Sequence, residues 1–319
     1  MAYVSGDTIT GDQYNIFVNN SSSPFGYNHF AGTGSGNYGL GQTHIATVTG
    51  GTNTITASQW NTLLTGMDNI GNHTNDSLTA RTQVTAGDTI AIKAAVEADL
   101  ATLAASVNGG STSATAITDN ALRTITTGST GWDSSATHEH TLTWASADSM
   151  RHYFNAGGKI RVVCGITGSV TGDKDTVYTD LGTGVGNLDI AAEATTRSGS
   201  TETLTTNGLA NGFRDLGTGY TTILKLTSDN SNYTSNTVEI SAKLNDSVGS
   251  STQMVIKVVW TDGAGDETFT SPNTSGVPGD PKQTPQVTSA VTERHPNNSQ
   301  GLASAIQTSA NAETTNSTS

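Results

Sequence analysis

The chain has 319 residues and a formal net charge of −13, from 14 Lys and Arg against 27 Asp and Glu; charged residues make up only 13% and the apolar set 33%. No Lys/Arg run offers the basic footprint that displaces counterions from phosphates, which excludes nucleic acid as a partner. No apolar run approaches the roughly 20 residues of a membrane span, and the opening MAYVSGDTIT lacks the basic and apolar regions of a signal peptide. Threonine numbers 56 and glycine 36. Threonine's branched Cβ suits a pleated surface and glycine supplies turns, so the composition predicts a β-rich fold. With a single cysteine, Cys164, no intramolecular disulfide can form, and stability must come from packing or assembly.

In chain order, the first elements form an imperfect repeat. GDTITGDQYNIFV (6–18) aligns with TNTITASQWNTLL (52–64) and, more weakly, with GDTIAIKAAVEADL (87–100). Each copy opens on Thr-Ile in an extended stretch and continues as a helix; in the first two, a polar turn with Asp12 or Ser58 supplies the N-cap. The apolar face of the second helix is Trp60, Leu63, Leu64, Met67 and Ile70, and that of the third is Ile92, Val96, Leu100 and Leu103. One short helix cannot bury such a face alone, so the copies must pack on each other or on neighbouring chains. Between the first two copies, PFGYNHFAGTGSGNYGLGQ (24–42) reads as an ordered contact loop, because flexible linkers lack its aromatics Phe25, Tyr27, Phe30 and Tyr38.

The pattern then changes. Residues 1–107 form the repeat-bearing docking region and 108–131 a linker. Residues 132–271 form a β-sandwich-like domain, and 272–319 an extended arm, rich first in proline and then in Ser, Thr and Asn. Within the domain, strands are predicted over 137–146, 159–168, 221–229, 236–246 and 252–263, and a helix over 147–158. Val238, Ile240, Ala242 and Leu244 alternate against Met254, Ile256, Val258 and Trp260 across the turn DSVGSS, which predicts a hairpin. Residues 169–220 read as short strands and long loops. The predicted fold class is mainly β, with a small α/β N-terminal part and a C-terminal antiparallel β-sandwich-like domain.

Few stretches carry chemistry. GSGNYG (34–39) matches a dinucleotide-loop pattern in letters, but a loop precedes it and a strand candidate follows it, the wrong order for aiming amides at a pyrophosphate. In HYFNAGGKIRV (152–162) the order is helix, glycine, strand, the reverse of a phosphate loop. There Met150, Tyr153 and Phe154 form a helix face, Asn155 and Gly157 can take the left-handed conformation that stops the helix, and Gly158 releases the chain. His138 and His140 sit two apart on a strand, so both share one face; three chains about an axis would bring six such ligands together. The competing expectation is a pair of solvated histidines. DGAGDE (262–267) reads as an acidic turn whose spacing misses the EF-hand pattern. Cys164, in the run IRVVCGI, reads as a buried small hydrophobe. Catalytic and cofactor-binding residues are therefore assigned to none, and no cofactor is expected.

Several stretches, taken together, resemble a known family. GDTITGDQYN, YGLGQ and TITASQWN are similar to virion structural proteins of tailed bacteriophages, of the contractile-tailed cyanophage and marine phage type. LTWASADSMRHYFNAGGKIR (142–161) resembles the shared core of those proteins, where an aromatic pair precedes N-A-G-G-x-I-R; WTDG (260–263) and TSAVTER (288–294) fit as well. The resemblance implies a structural component of the tail, baseplate or fibre apparatus, not an enzyme. It would be assembled in the host cytoplasm into the virion as a homo-oligomer, a trimer or ring, with other virion proteins as partners. Two alternatives stand beside it: a capsid decoration or collar protein, and a glycan-binding adhesin or depolymerase whose aromatics Tyr27, Phe30 and Tyr38 stack on a host surface glycan.

Overall fold

The structure is a computed structural model, and it describes residues 9–23, 25–31, 39–40, 42–51, 54–88, 93–108, 118–127, 132, 134–168, 173–231, 233–263, 286–296 and 312–318. The described chain is mainly β, with helices gathered toward its N-terminal part. It divides into two compact units. The first holds residues 1–118, 145–158 and 295–308; the second holds 119–144, 159–294 and 309–319.

The first unit is helical. Helices α1 (Gly11–Asn19), α3 (Ala57–Thr74) and α4 (Lys93–Asn108) follow the three repeat copies, and α3 and α4 bury the faces expected of them, except that Ile92 lies outside the described residues; α2 (Tyr27–Ala31) forms within the stretch read as a contact loop. Trp60, Met67, Ile70, Val96 and Leu103 are fully buried, as are Tyr14 and Val18 of α1. Phe17 meets Trp60 edge to face at 6.1 Å, so the first two repeat copies share one core. A fifth helix, α5 (Ala147–Asn155), belongs to this unit, although the sequence reading places it inside the 132–271 domain. Two hydrogen bonds account for that. Asn155 Nδ2 donates to the Gly39 carbonyl, and His73 Nε2 donates to the Ala156 carbonyl at 2.7 Å. The second satisfies an oxygen that the end of α5 would otherwise leave without a partner.

The second unit is a sandwich of two antiparallel sheets. Its strands are β1 (Thr118–Thr126), β2 (Ser135–Thr143), β3 (Lys159–Thr167), β4 (Asn187–Ile190), β5 (Thr195–Arg197), β6 (Thr203–Asn207), β7 (Thr221–Thr227), β8 (Thr237–Leu244), β9 (Gln253–Thr261), β10 (Gln286–His295) and β11 (Ala312–Thr318). One sheet has the order β1-β10-β3-β4-β5 and the other β11-β2-β9-β8-β7-β6. The predicted hairpin is β8–β9, in the register Val238↔Trp260, Ile240↔Val258, Ala242↔Ile256 and Leu244↔Met254; all eight side chains are buried. Two segments depart from the sequence reading. The stretch 169–220 contains a helix, α6 (Asp173–Val185), which buries Val177, Tyr178, Leu181 and Val185. It packs on β3 of one sheet and on β7 and β8 of the other. A Cβ at Gly182 would come within 2.9 Å of the Cys164 carbonyl, so only glycine permits this approach. The presumed C-terminal arm supplies β10, an interior strand paired with β3 from Gln286↔Thr167 to Arg294↔Lys159, and β11, paired with β2. β10 escaped notice because Ser289 and Glu293 take half of its inward positions, so its apolar alternation is broken.

Candidate functional site

The helical unit owes its organisation to a local device that recurs in the repeat. The N-caps are Thr10 and Thr56, two residues before the expected Asp12 and Ser58: the Thr10 side chain accepts from the Gln13 backbone N–H while Gln13 Oε1 accepts from the Thr10 N–H, and Thr56 and Gln59 do the same at α3. These reciprocal caps satisfy donors that a helix start leaves exposed. Two residues after each capping glutamine stands an asparagine, Asn15 or Asn61. Asn15 donates to the Val48 carbonyl at 2.8 Å and accepts from the Val48 N–H at 2.9 Å. Asn61 treats Val84 alike, at 2.9 Å in both bonds. Asn28 of α2 holds Ile45 in the same way, at 2.8 and 2.9 Å. Each amide thus pairs with the N–H and C=O of one residue in a connection outside the helices, as a neighbouring strand would. The third copy has Ala91, Ala94 and Val96 where the others have threonine, glutamine and asparagine, and it can form neither cap nor clamp.

A trough of about 930 Å³ lies on this frame. Its floor is the solvent side of α3, with Ser58, Thr62, Thr65 and Asn69; residues 42–46 and Gln83 border it. Its aromatic lining, Tyr14 and Tyr27, is buried, and each hydroxyl is already engaged: Tyr14 donates to the Gln59 carbonyl and Tyr27 to Gln42 Oε1 at 2.8 Å. Burial pushes the Tyr27 phenol up to about 12. The lining holds amides, hydroxyls and one imidazole, His44, and includes no Asp, Glu, Lys or Arg. The amides of Asn69 and Gln83 have no hydrogen-bond partner among the described residues.

The histidine pair takes a different place from the one expected. His138 and His140 do share a face of β2, but that face lies inside the sandwich, and both are fully buried rather than solvated. They stand opposite Val258 and Ile256 of β9, in the same inner layer. Ala136 and Leu142 decide which face turns inward; the intervening THEHT is polar on both faces and gives no hydrophobic signal. From the opposite sheet, Ser289 Oγ lies 2.8 Å from His138 Nδ1 and 2.8 Å from His140 Nε2. One hydroxyl has one proton, so it donates to one ring and accepts from the other. Burial holds both imidazoles neutral, down to about 4. Serine and histidine in hydrogen-bond reach form the pairing of an activated nucleophile. Here Ser289 is fully buried in the core, out of reach of substrate, so the trio serves as an inter-sheet tie. Among the described residues no group of three or more His, Cys, Asp or Glu is placed to hold a metal ion.

Gly157 takes φ 91, the Gly157 N–H bonds the Phe154 carbonyl and the Gly158 N–H bonds the Tyr153 carbonyl, a complete left-handed helix stop. Asn155 remains helical, its side chain turned to Gly39. Cys164 is buried and its thiol is raised to about 12 by desolvation, which makes it inert. Tyr27 and Phe30 are packed in the core and expose no face to a sugar; Tyr38 lies outside the described residues, as do most of GSGNYG and of DGAGDE. Sequence reasoning missed the asparagine clamps, although the aligned Gln-Tyr-Asn and Gln-Trp-Asn carry them. It also missed an ion-pair ladder over four adjacent strands. Asp189 on β4 receives Arg161 of β3 in two bonds, at 2.7 and 2.8 Å, and Arg294 of β10 at 3.1 Å; Arg294 also reaches Asp119 of β1. The two arginines hold the Asp189 carboxyl below its ordinary range against the opposing effect of burial.

No helix among the described residues is long and apolar enough to cross a membrane. No protein-family model, curated protein or solved structure matches this chain.

Proposed function

We propose that the chain is a structural subunit of a tailed-phage virion, built into the tail, baseplate or fibre apparatus as a homo-oligomer alongside other virion proteins. The observation that carries this reading is the interleaving of its two units. Among the described residues the chain passes between them at 118/119, 144/145, 158/159 and 294/295 rather than through one linker. A subunit threaded this way cannot shed one unit by opening a single connector, a property useful to a part under mechanical load. The stretch 142–161, which most resembles phage virion proteins, spans two of those passages. The buried histidine–serine tie and the engaged tyrosines fit construction rather than catalysis.

Quantitative mass spectrometry of purified particles tests the proposal. Detection at a few copies per particle supports a tail component. Hundreds of copies would indicate a capsid decoration protein instead, and absence from particles would remove the virion reading altogether.

A further inference from the structure

We infer that the trough on α3 is a docking site for an extended polypeptide segment, and that its occupant is Tyr3–Gly6 of a second copy of this chain. The unit already grips non-helical main chain in one repeated way, through the side-chain amides of Asn15, Asn28 and Asn61, each pairing with both backbone groups of one residue. Asn69 stands eight residues after Asn61 on α3, and both face the trough. The Asn69 amide has no partner among the described residues. Gln83 offers a second unpartnered amide at the border. A lining without Asp, Glu, Lys or Arg favours neutral main chain and small side chains over an anion or a basic peptide.

The choice of occupant comes from the repeat. Both segments clamped by repeat asparagines have their valine a few residues before a Thr-Ile pair: V-T-G-G-T-N-T-I begins at Val48 and V-T-A-G-D-T-I at Val84. The sequence holds a third such stretch, V-S-G-D-T-I, beginning at Val4, and residues 1–8 lie outside the described ones. Supplied by another copy, it would give a heterologous, head-to-tail contact that closes into a ring or extends as a filament. The inference deepens the reading of the chain as an assembling subunit. The two fail separately, since docking is measured on purified protein and virion placement on particles.

The experiment uses the full chain and a labelled synthetic peptide covering residues 2–9. Fluorescence anisotropy should show saturable binding, about tenfold weaker for Asn69→Ala, which removes two neutral hydrogen bonds. Thr65→Arg, on an exposed position of the floor, should abolish binding by filling the trough. Unchanged circular dichroism and melting would establish that both variants fold. Sedimentation of the unlabelled full chain should show self-association that is lost in Thr65→Arg and on deletion of residues 1–5. Absence of peptide binding, or equal binding to all three proteins, overturns the inference. So does binding of neutral oligosaccharides to the wild type that Asn69→Ala abolishes, which would assign the trough to a glycan.

Discussion

The two units solve the same problem, an apolar-poor sequence, by different means. The sandwich has long ladders and a continuous inner layer: β2, β8 and β9 each bury every second side chain or more, and β2–β9 and β8–β9 pair along the full length of β2 and of β8. Its stability is spread over many contacts. In the helical unit the described connections between helices pair as strands only at the isolated bridge Thr10↔Thr54, and single amides hold them at Ile45, Val48 and Val84. Its order is concentrated in a few polar side chains. Variants should therefore act on the first in proportion to buried volume and on the second in proportion to lost clamps.

The largest effect should come from the sandwich core. Trp260 is fully buried, with Tyr178 at 6.1 Å edge to face, and Tyr178 in turn meets Trp132 at 5.2 Å. Trp260→Ala should cost about 3–5 kcal/mol by emptying this aromatic row. Chemical denaturation would measure it, and a loss below about 1 kcal/mol would show that the row is not central to the core.

Acid should act next. His138 and His140 are neutral down to about 4 in the fold, against an ordinary 6.5. Their folded values are depressed, so the unfolded chain takes up protons first as the pH drops. Stability is complete above about 6.5 and falls between 6.5 and 4, by roughly 2 kcal/mol per ring at pH 5. Hydrogen exchange at β9, beside the pair, should report the loss. Replacing His138, His140 and Ser289 together by apolar residues of similar size should flatten that part of the profile; an unchanged slope would place the titrating groups elsewhere. Breaking the tie with Ser289→Ala alone should be worse than removing all three, because it strands ring nitrogens in the core.

A smaller and more local effect is expected in the helical unit. Asn61→Ala should cost about 1–3 kcal/mol, since Val84 loses both partners at once. Exchange should rise over residues 81–85 and not over β8 or β9. A loss spread evenly through the molecule would erase the distinction between the two units.

What the sequence made legible follows the same division. Period-two alternation located the β8–β9 hairpin, and the 3.6-residue period located the faces of α3 and α4, because in those elements inward positions are nearly all apolar. β10 and the histidine face of β2 were illegible for the opposite reason: Ser289, Glu293, His138 and His140 are polar residues held inside, some of them by partners more than a hundred residues away. α6 was hidden in a Gly/Thr-rich stretch whose helical form depends on packing between sheets rather than on propensity. Of the candidate site, the repeat was visible but the clamp was not, since an asparagine that grips a distant main chain has no signature beyond recurring at one position.

The smallest of the expected effects bears on which unit the corner at residues 155–158 serves. The sequence reading makes it part of the β-domain, whereas α5 lies with the helical unit. Gly157 has φ 91, where a β-branched side chain is strained, and the stop depends on the Gly158 N–H reaching the Tyr153 carbonyl at 2.9 Å. Gly157→Val should therefore cost about 1–2 kcal/mol, while Gly157→Asn, which tolerates the left-handed region, should recover most of it. Opening the stop also loosens the Ala156 carbonyl that His73 holds from α3. The rise in exchange should then appear in α5 and in the last turn of α3, with the inner strands of the sandwich unchanged. A rise centred on β3 instead would return the corner to the sheets and would make the helical unit depend less on such single contacts than its clamps imply.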